Sequence, residues 1–182
     1  MTDRSMPAST EHPVGHLAGL DISVMPSALW SMAAIWLGAG LIIFWLLGRG
    51  WGWALLGGLL VTIIHWLSDF AHQGGHALAA RRTGFPMTGL RFWGIFSTSL
   101  WPADEPALPG RIHIRRALGG PIASILVGVA ALLVAWLAGA DGGMVWWLAL
   151  FAAADNLLLL GLGAFLPLGF TDGSTILNWW KR

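Results

Sequence analysis

The stretch from Trp51 to Arg82 reads WGWALLGGLLVTIIHWLSDFAHQGGHALAARR. It begins as an apolar run long enough to cross a bilayer as a helix. Its second half carries His65, Asp69, His72 and His76, at spacings i, i+4, i+7 and i+11. At 100° per residue these side chains fall within about 60° of one helix face. Ionisable residues inside a span are costly, so they face the bundle interior and by default mark a function. The plainer alternative is a stripe of buried polar residues bonding to other helices. His72 and His76, one turn apart, can hold one metal ion together. Between them stands Gln73, an amide that cannot accept a proton.

Working outward, the composition agrees with a membrane setting. The chain has 182 residues, 56% hydrophobic and 10% charged, against about 25% charged in soluble domains. Its mean hydropathy is +0.69. The net charge of +1 gives no reason to expect nucleic acid as a partner. Without cysteine there is neither disulfide nor thiolate ligand, so a metal must be held by His, Asp or Glu. The length suits one domain.

Four apolar stretches predict an all-α membrane protein with four transmembrane helices. They are residues 27–47, 51–80, 118–138 and 144–165. Residues 1–26 are polar, carry Pro7, Pro13 and Pro26, and read as a flexible cytoplasmic tail before an integral membrane domain over 27–182. With four spans, one side holds Arg4, Arg81, Arg82, Arg91, Arg111, Arg115, Arg116, Lys181 and Arg182, and the other only Arg49. This asymmetry predicts both termini in the cytoplasm. Trp45, Trp51, Trp53, Trp136, Trp146 and Trp147 collect at the opposite helix ends, as an interfacial belt or as packing between helices. His72 and His76 then lie within the membrane, roughly 8 to 14 Å below the boundary marked by Arg81. Met87 to Trp101, rich in β-branched and aromatic residues around Gly94, predicts a short hairpin or edge strand on the cytoplasmic side. The alternative there is an amphipathic segment lying on the bilayer surface.

Three segments carry a family resemblance. The run His72-Gln73-Gly74-Gly75-His76-Ala77-Leu78-Ala79-Ala80-Arg81 is similar to the HExxH helix of the site-2 protease family of intramembrane zinc metalloproteases. Gly119-Gly120-Pro121-Ile122-Ala123-Ser124 resembles the Gly-Pro start of that family's middle core helix. Leu166-Pro167-Leu168-Gly169-Phe170-Thr171-Asp172-Gly173 resembles its LPxPPLDG segment. The resemblance covers residues 51–177. It implies a three-helix core plus an additional first span, with zinc as cofactor and a transmembrane protein as substrate or partner. It also makes Asp172 the third zinc ligand beside His72 and His76. Taken alone, Asp172 reads as a helix N-cap.

The chain departs from the family pattern in four places. Ala164 replaces an Asn, Gly169-Phe170 replaces a Pro-Pro pair, and Ser124 replaces an Asn. Gln73 stands where the general base belongs. Ser124 and Asn156 are candidates for positioning substrate. Asp69 is a candidate to orient His72 through its second ring nitrogen, while His65, lying deeper, reads as structural.

A general base contributes roughly 10²- to 10⁴-fold, so little or no proteolysis is expected. Residue 73 is then a natural loss in a protein that binds membrane segments, or an experimental Glu-to-Gln change. Alternatively another carboxylate, Asp69 or Asp155, serves as base. An impaired metalloprotease homologue is the leading reading. A non-catalytic pseudoprotease is the alternative, and a metal-ion or proton pathway is a third.

Overall fold

The computed structural model describes residues 11–180. Arg4, Lys181 and Arg182, which entered the charge asymmetry, lie outside the described residues. Four helical stretches are long and apolar enough to cross a membrane: Pro26–Trp45, Trp51–Thr83, Gly110–Ala138 and Met144–Phe165. We label Pro26–Trp45 α1, Trp51–Thr83 α2 and Gly110–Ala138 α3. The fourth span begins as α4, Met144–Ala154, widens into a π-helix over Asp155–Leu162, and closes with a 3₁₀ turn at Gly163–Phe165. A short helix α5, Asp172–Trp179, follows.

Helix α2 is the axis of the molecule. Its 33 residues make it about 50 Å long. It stops at Gly84, whose left-handed backbone (φ 81°) sends the cap N–H to the Arg81 carbonyl, a conformation glycine adopts without penalty. Helix α3 packs against α2 at backbone distance. A Cβ on Gly75 would lie 2.2 Å from the Gly119 carbonyl, and one on Gly119 would lie 2.4 Å from the Gly75 carbonyl. Small residues allow this approach, as in other membrane helix pairs.

A four-stranded sheet caps one end. The strands are β1 (His12–Leu17), β2 (Leu20–Val24), β3 (Gly89–Trp93) and β4 (Phe96–Leu100), in spatial order β1-β2-β3-β4. The expected hairpin in the 87–101 stretch is β3–β4, turning at Gly94 and Ile95 with register Trp93 to Phe96. The first two strands correct the expectation of a flexible tail. Residues 12–24 form a hairpin whose β2 runs parallel to β3, with Asp21 opposite Gly89 and Val24 opposite Phe92.

The reason lies in Leu20-Asp21-Ile22-Ser23-Val24, which alternates apolar and polar at the period of a strand. Leu20 packs with Ala77, Ala80, Met87 and Leu90, and Ile22 and Phe92 close around them. Pro13 misleads at the sequence level because it sits in an edge strand at a register shift, where proline costs no ladder hydrogen bond. The Arg81 guanidinium donates to the Ala18 carbonyl at the hairpin turn. The sheet is thereby fastened to the end of α2.

Candidate metal centre

His72 and His76 lie on the buried face of α2, 7% and 6% exposed. Their Nε2 atoms are 3.0 Å apart. Asp172 is the first residue of α5, and its carboxylate oxygens lie 3.3 Å from each of those two nitrogens. The loop before α5 makes this approach possible. Gly169, at φ 89°, donates its N–H to Ser174 Oγ at 2.7 Å. Thr171 Oγ donates to the Leu166 carbonyl. Gly173 lies against Phe165, where a Cβ would meet the carbonyl oxygen at 2.0 Å. These contacts fold the chain back after the fourth span and aim Asp172 inward. His113 stacks on Trp179 at 4.0 Å and fixes α5 to α3.

The far sides of both imidazoles are occupied. His76 Nδ1 lies 2.8 Å from the Arg116 carbonyl and 3.2 Å from the Gly120 N; the nearer carbonyl can only accept, which favours the tautomer with hydrogen on Nδ1. His72 Nδ1 lies 2.9 Å from Ser124 Oγ. The Ser124 hydroxyl can accept from His72 Nδ1 as the Arg116 carbonyl does from His76, and in that tautomer the two Nε2 lone pairs and the Asp172 carboxylate converge as three acceptors. A metal cation satisfies such a set, and outer partners of this kind set the tautomer of a metal-bound histidine. Tetrahedral zinc with ligand bonds of about 2.0 to 2.2 Å places its donors about 3.3 Å apart, which the three separations approach. Gly120 completes the cradle. A Cβ there would lie 2.3 Å from His76 Nε2 and 2.4 Å from His72 Nε2. The residues present therefore fit a metal ion held by two histidines and one carboxylate.

The site opens onto a cavity of about 340 Å³. Aromatic walls come from Trp93, Phe96, Trp101 and Phe170, and polar ones from β4 and Arg116.

The structure places the other candidate residues as follows. Ser124, expected to position substrate, is fully buried and bonded to His72. It stands at the ring nitrogen where Asp69 was expected, because α3 presents its hydroxyl to the ring whereas Asp69 lies a turn deeper. Asp69 lines the cavity and faces Ser97 of β4. Asn156, also expected near substrate, is fully buried. Its amide donates to Ser68 Oγ at 2.7 Å and to the Ala152 carbonyl at 2.9 Å. Asp155 is buried against His65, 3.0 Å from Nδ1, while His65 Nε2 lies 2.8 Å from the Ile95 carbonyl. That pair ties α2 to the π-helix and to the β3–β4 turn.

Gln73 is 4% exposed and bound on both sides by β4. Its Nε2 donates to the Ser97 carbonyl at 3.1 Å, and its Oε1 accepts from Ser99 Oγ at 2.8 Å. Arg116 was not singled out in the sequence. Its guanidinium is buried beside Glu105 at 2.5 Å, the Phe85 carbonyl at 2.6 Å and the face of Trp101 at 4.0 Å. Only its place in the positive set near the third helix could have drawn attention to it.

No family model matches the chain. In two strains of Mycobacterium tuberculosis, the protein Rip3, named as a candidate zinc metalloprotease, is 30% identical over 189 residues. The match takes in 93% of this chain and 44% of that protein, so the chain spans a little under half the length of the curated relatives it matches. Among solved structures, the site-2 protease of Methanocaldococcus jannaschii shares the fold with a TM-score of 0.65 at 18% identity. That match covers 92% of this chain and 69% of the other.

Proposed function

We propose that this chain is a member of the site-2 protease family, that it holds zinc between His72, His76 and Asp172, and that it is impaired or inactive as a protease because residue 73 is an amide. The observation that carries this reading is the convergence of two Nε2 atoms and one carboxylate beside a side chain that cannot accept a proton. When bound, the metal would supply Lewis-acid polarisation of a peptide carbonyl and of a water. His72 and His76 hold that position, oriented by Ser124 and the Arg116 carbonyl. Gln73 offers hydrogen bonds only.

A substrate or partner would be a membrane-spanning protein segment unwound near the cytoplasmic face. The orientation with both termini in the cytoplasm is supported by Arg81, Arg82, Arg91, Arg111, Arg115 and Arg116, which flank the sheet end of the helices. The unwound segment would add as a strand to β4, the edge that borders the cavity, with main-chain bonds providing affinity. The alternative, a pseudoprotease that binds membrane partners without cutting them, is favoured by the two bonds that already engage Gln73.

The test is to purify the chain and its Gln73→Glu variant in detergent, measure bound zinc, and offer both a panel of single-span substrates. We expect zinc in both and cleavage raised roughly 10²- to 10⁴-fold in the variant. Zinc in neither would sink the metal-site reading. Cleavage by both at equal rates would return Asp69 to consideration as the base. Zinc and partner capture in both, with cutting by neither, would select the pseudoprotease.

A further inference from the structure

We infer that the Gln73 carboxamide occupies the hydrogen-bonding place of a docked peptide group on β4, so that an extended segment gains that edge only by displacing Gln73. The inference rests on the reading that partners dock as strands at β4. Its geometric basis is the register of the β3–β4 hairpin. Trp93 and Phe96 close a two-residue turn, and such a closing pair exchanges both main-chain hydrogen bonds. Bonded and non-bonded pairs then alternate along the ladder. Ser97 opposite Phe92 and Ser99 opposite Leu90 are therefore non-bonded pairs, whose N–H and C=O groups point away from β3. Since β4 is the last strand of the sheet, they point to the open edge.

The Ser97 carbonyl on that edge is the one Gln73 Nε2 reaches, at 3.1 Å. A side-chain carboxamide carries the same donor and acceptor as a peptide unit. Gln73 thus mimics one residue of an incoming strand, and Ser99 Oγ secures its oxygen at 2.8 Å. The side chain is almost wholly buried, so these bonds are shielded from water. A carboxylate at this position could accept from Ser99 but could not donate to the Ser97 carbonyl. The amide therefore acts twice, once by lacking a proton acceptor and once by closing the edge.

The experiment uses site-directed cross-linking, which the absence of native cysteine makes clean. Thr98, exposed on β4 and lining the cavity, is replaced by cysteine in the full chain. Leu159, on the cavity's other wall, is replaced in a parallel sample. The probe is a Leu/Ala single-span peptide with a Gly-Ser-Gly break and one cysteine beside it, joined with a short bismaleimide. Gln73→Met keeps the volume and removes both bonds. Ser99→Ala loosens the amide without altering α2.

Two net hydrogen bonds predict that Gln73→Met raises the Thr98 cross-link roughly five- to tenfold, with a smaller rise for Ser99→Ala. Zinc content, set by untouched ligands, should stay constant and report folding in each variant. Equal yields at Thr98 in all backgrounds would overturn the inference and leave docking at β4 intact. Capture at Leu159 with none at Thr98 in any background would overturn docking at β4, and the inference with it.

Discussion

The Arg116 main-chain carbonyl lies 2.8 Å from Nδ1 of His76, while the same residue's guanidinium is clamped by Glu105. One residue thus connects the loop carrying Glu105 to the tautomer of His76. Arg116 holds the Glu105 carboxyl below its ordinary value. A carboxyl lowered in the folded state contributes stability above its unfolded pKa, and that contribution is lost as pH falls through the folded value. Glu105→Gln should therefore cost about 1 to 3 kcal/mol at neutral pH, since the Arg116 cation stays buried. The gap to the parent should close only below about pH 4. Thermal unfolding in detergent at several pH values measures it. A gap that persists unchanged in acid would mean that the pair contributes by shape and not by charge.

Ser124→Ala removes the partner of His72 Nδ1 and leaves all three ligands in place. Loss of an outer partner typically costs 10- to 100-fold in metal affinity. Competition with a zinc-selective chelator should show a drop of about that size, with Ser124→Thr retaining more affinity than Ser124→Ala. Equal affinity in all three would remove Ser124 from the orienting role.

Gly120→Ala tests the cradle directly. The added methyl would collide with both imidazole Nε2 atoms, and neither ring can retreat without leaving its outer partner. Zinc affinity should fall at least about tenfold while far-ultraviolet circular dichroism keeps the parent's helix content. Full zinc loading at parental affinity would show that the rings have room the geometry denies them.

The His65–Asp155 pair predicts a different pattern. Its side chains are 5% and 4% exposed, so removing one partner leaves an uncompensated buried polar group. Asp155→Ala should destabilise by about 3 to 5 kcal/mol, read as a lower unfolding midpoint. The double variant His65→Leu, Asp155→Leu should recover most of that loss, because a buried pair replaced by apolar side chains is often neutral. A double variant no better than the single one would show that the Ile95 carbonyl contact matters more than the ion pair.

The sequence was most legible where the signal is local. Helix periodicity identified α2 and its stripe, and apolar length identified all four spans. The 87–101 hairpin was legible from its β-branched content around Gly94. Asp172 as candidate third ligand came from the resemblance of residues 166–173 and not from spacing, because 96 residues separate it from His76. Contacts between distant segments stayed hidden. Ser124 meets His72 across 52 residues and Gln73 meets Ser97 across 24. Neither serine differs in composition from one facing solvent. The β1–β2 hairpin was masked by Pro13 and the surrounding polar residues, although Leu20 to Val24 carried the alternation of a strand.

The close approach of Gly75 and Gly119 divides the ligands into two mechanical classes. His72 and His76 ride on α2, locked backbone to backbone with the helix that carries Gly120 and Ser124, so their spacing is as rigid as the helix pair itself. Asp172 arrives on the separate 166–171 loop, held by the hydroxyls of Thr171 and Ser174. A shift of that loop by a few ångströms would change a three-ligand site into a two-ligand site without disturbing any helix contact. On the proposed metal-centre reading, ion exchange would be hinged at the carboxylate, and the release rate should follow the strength of two side-chain hydroxyl bonds outside the site.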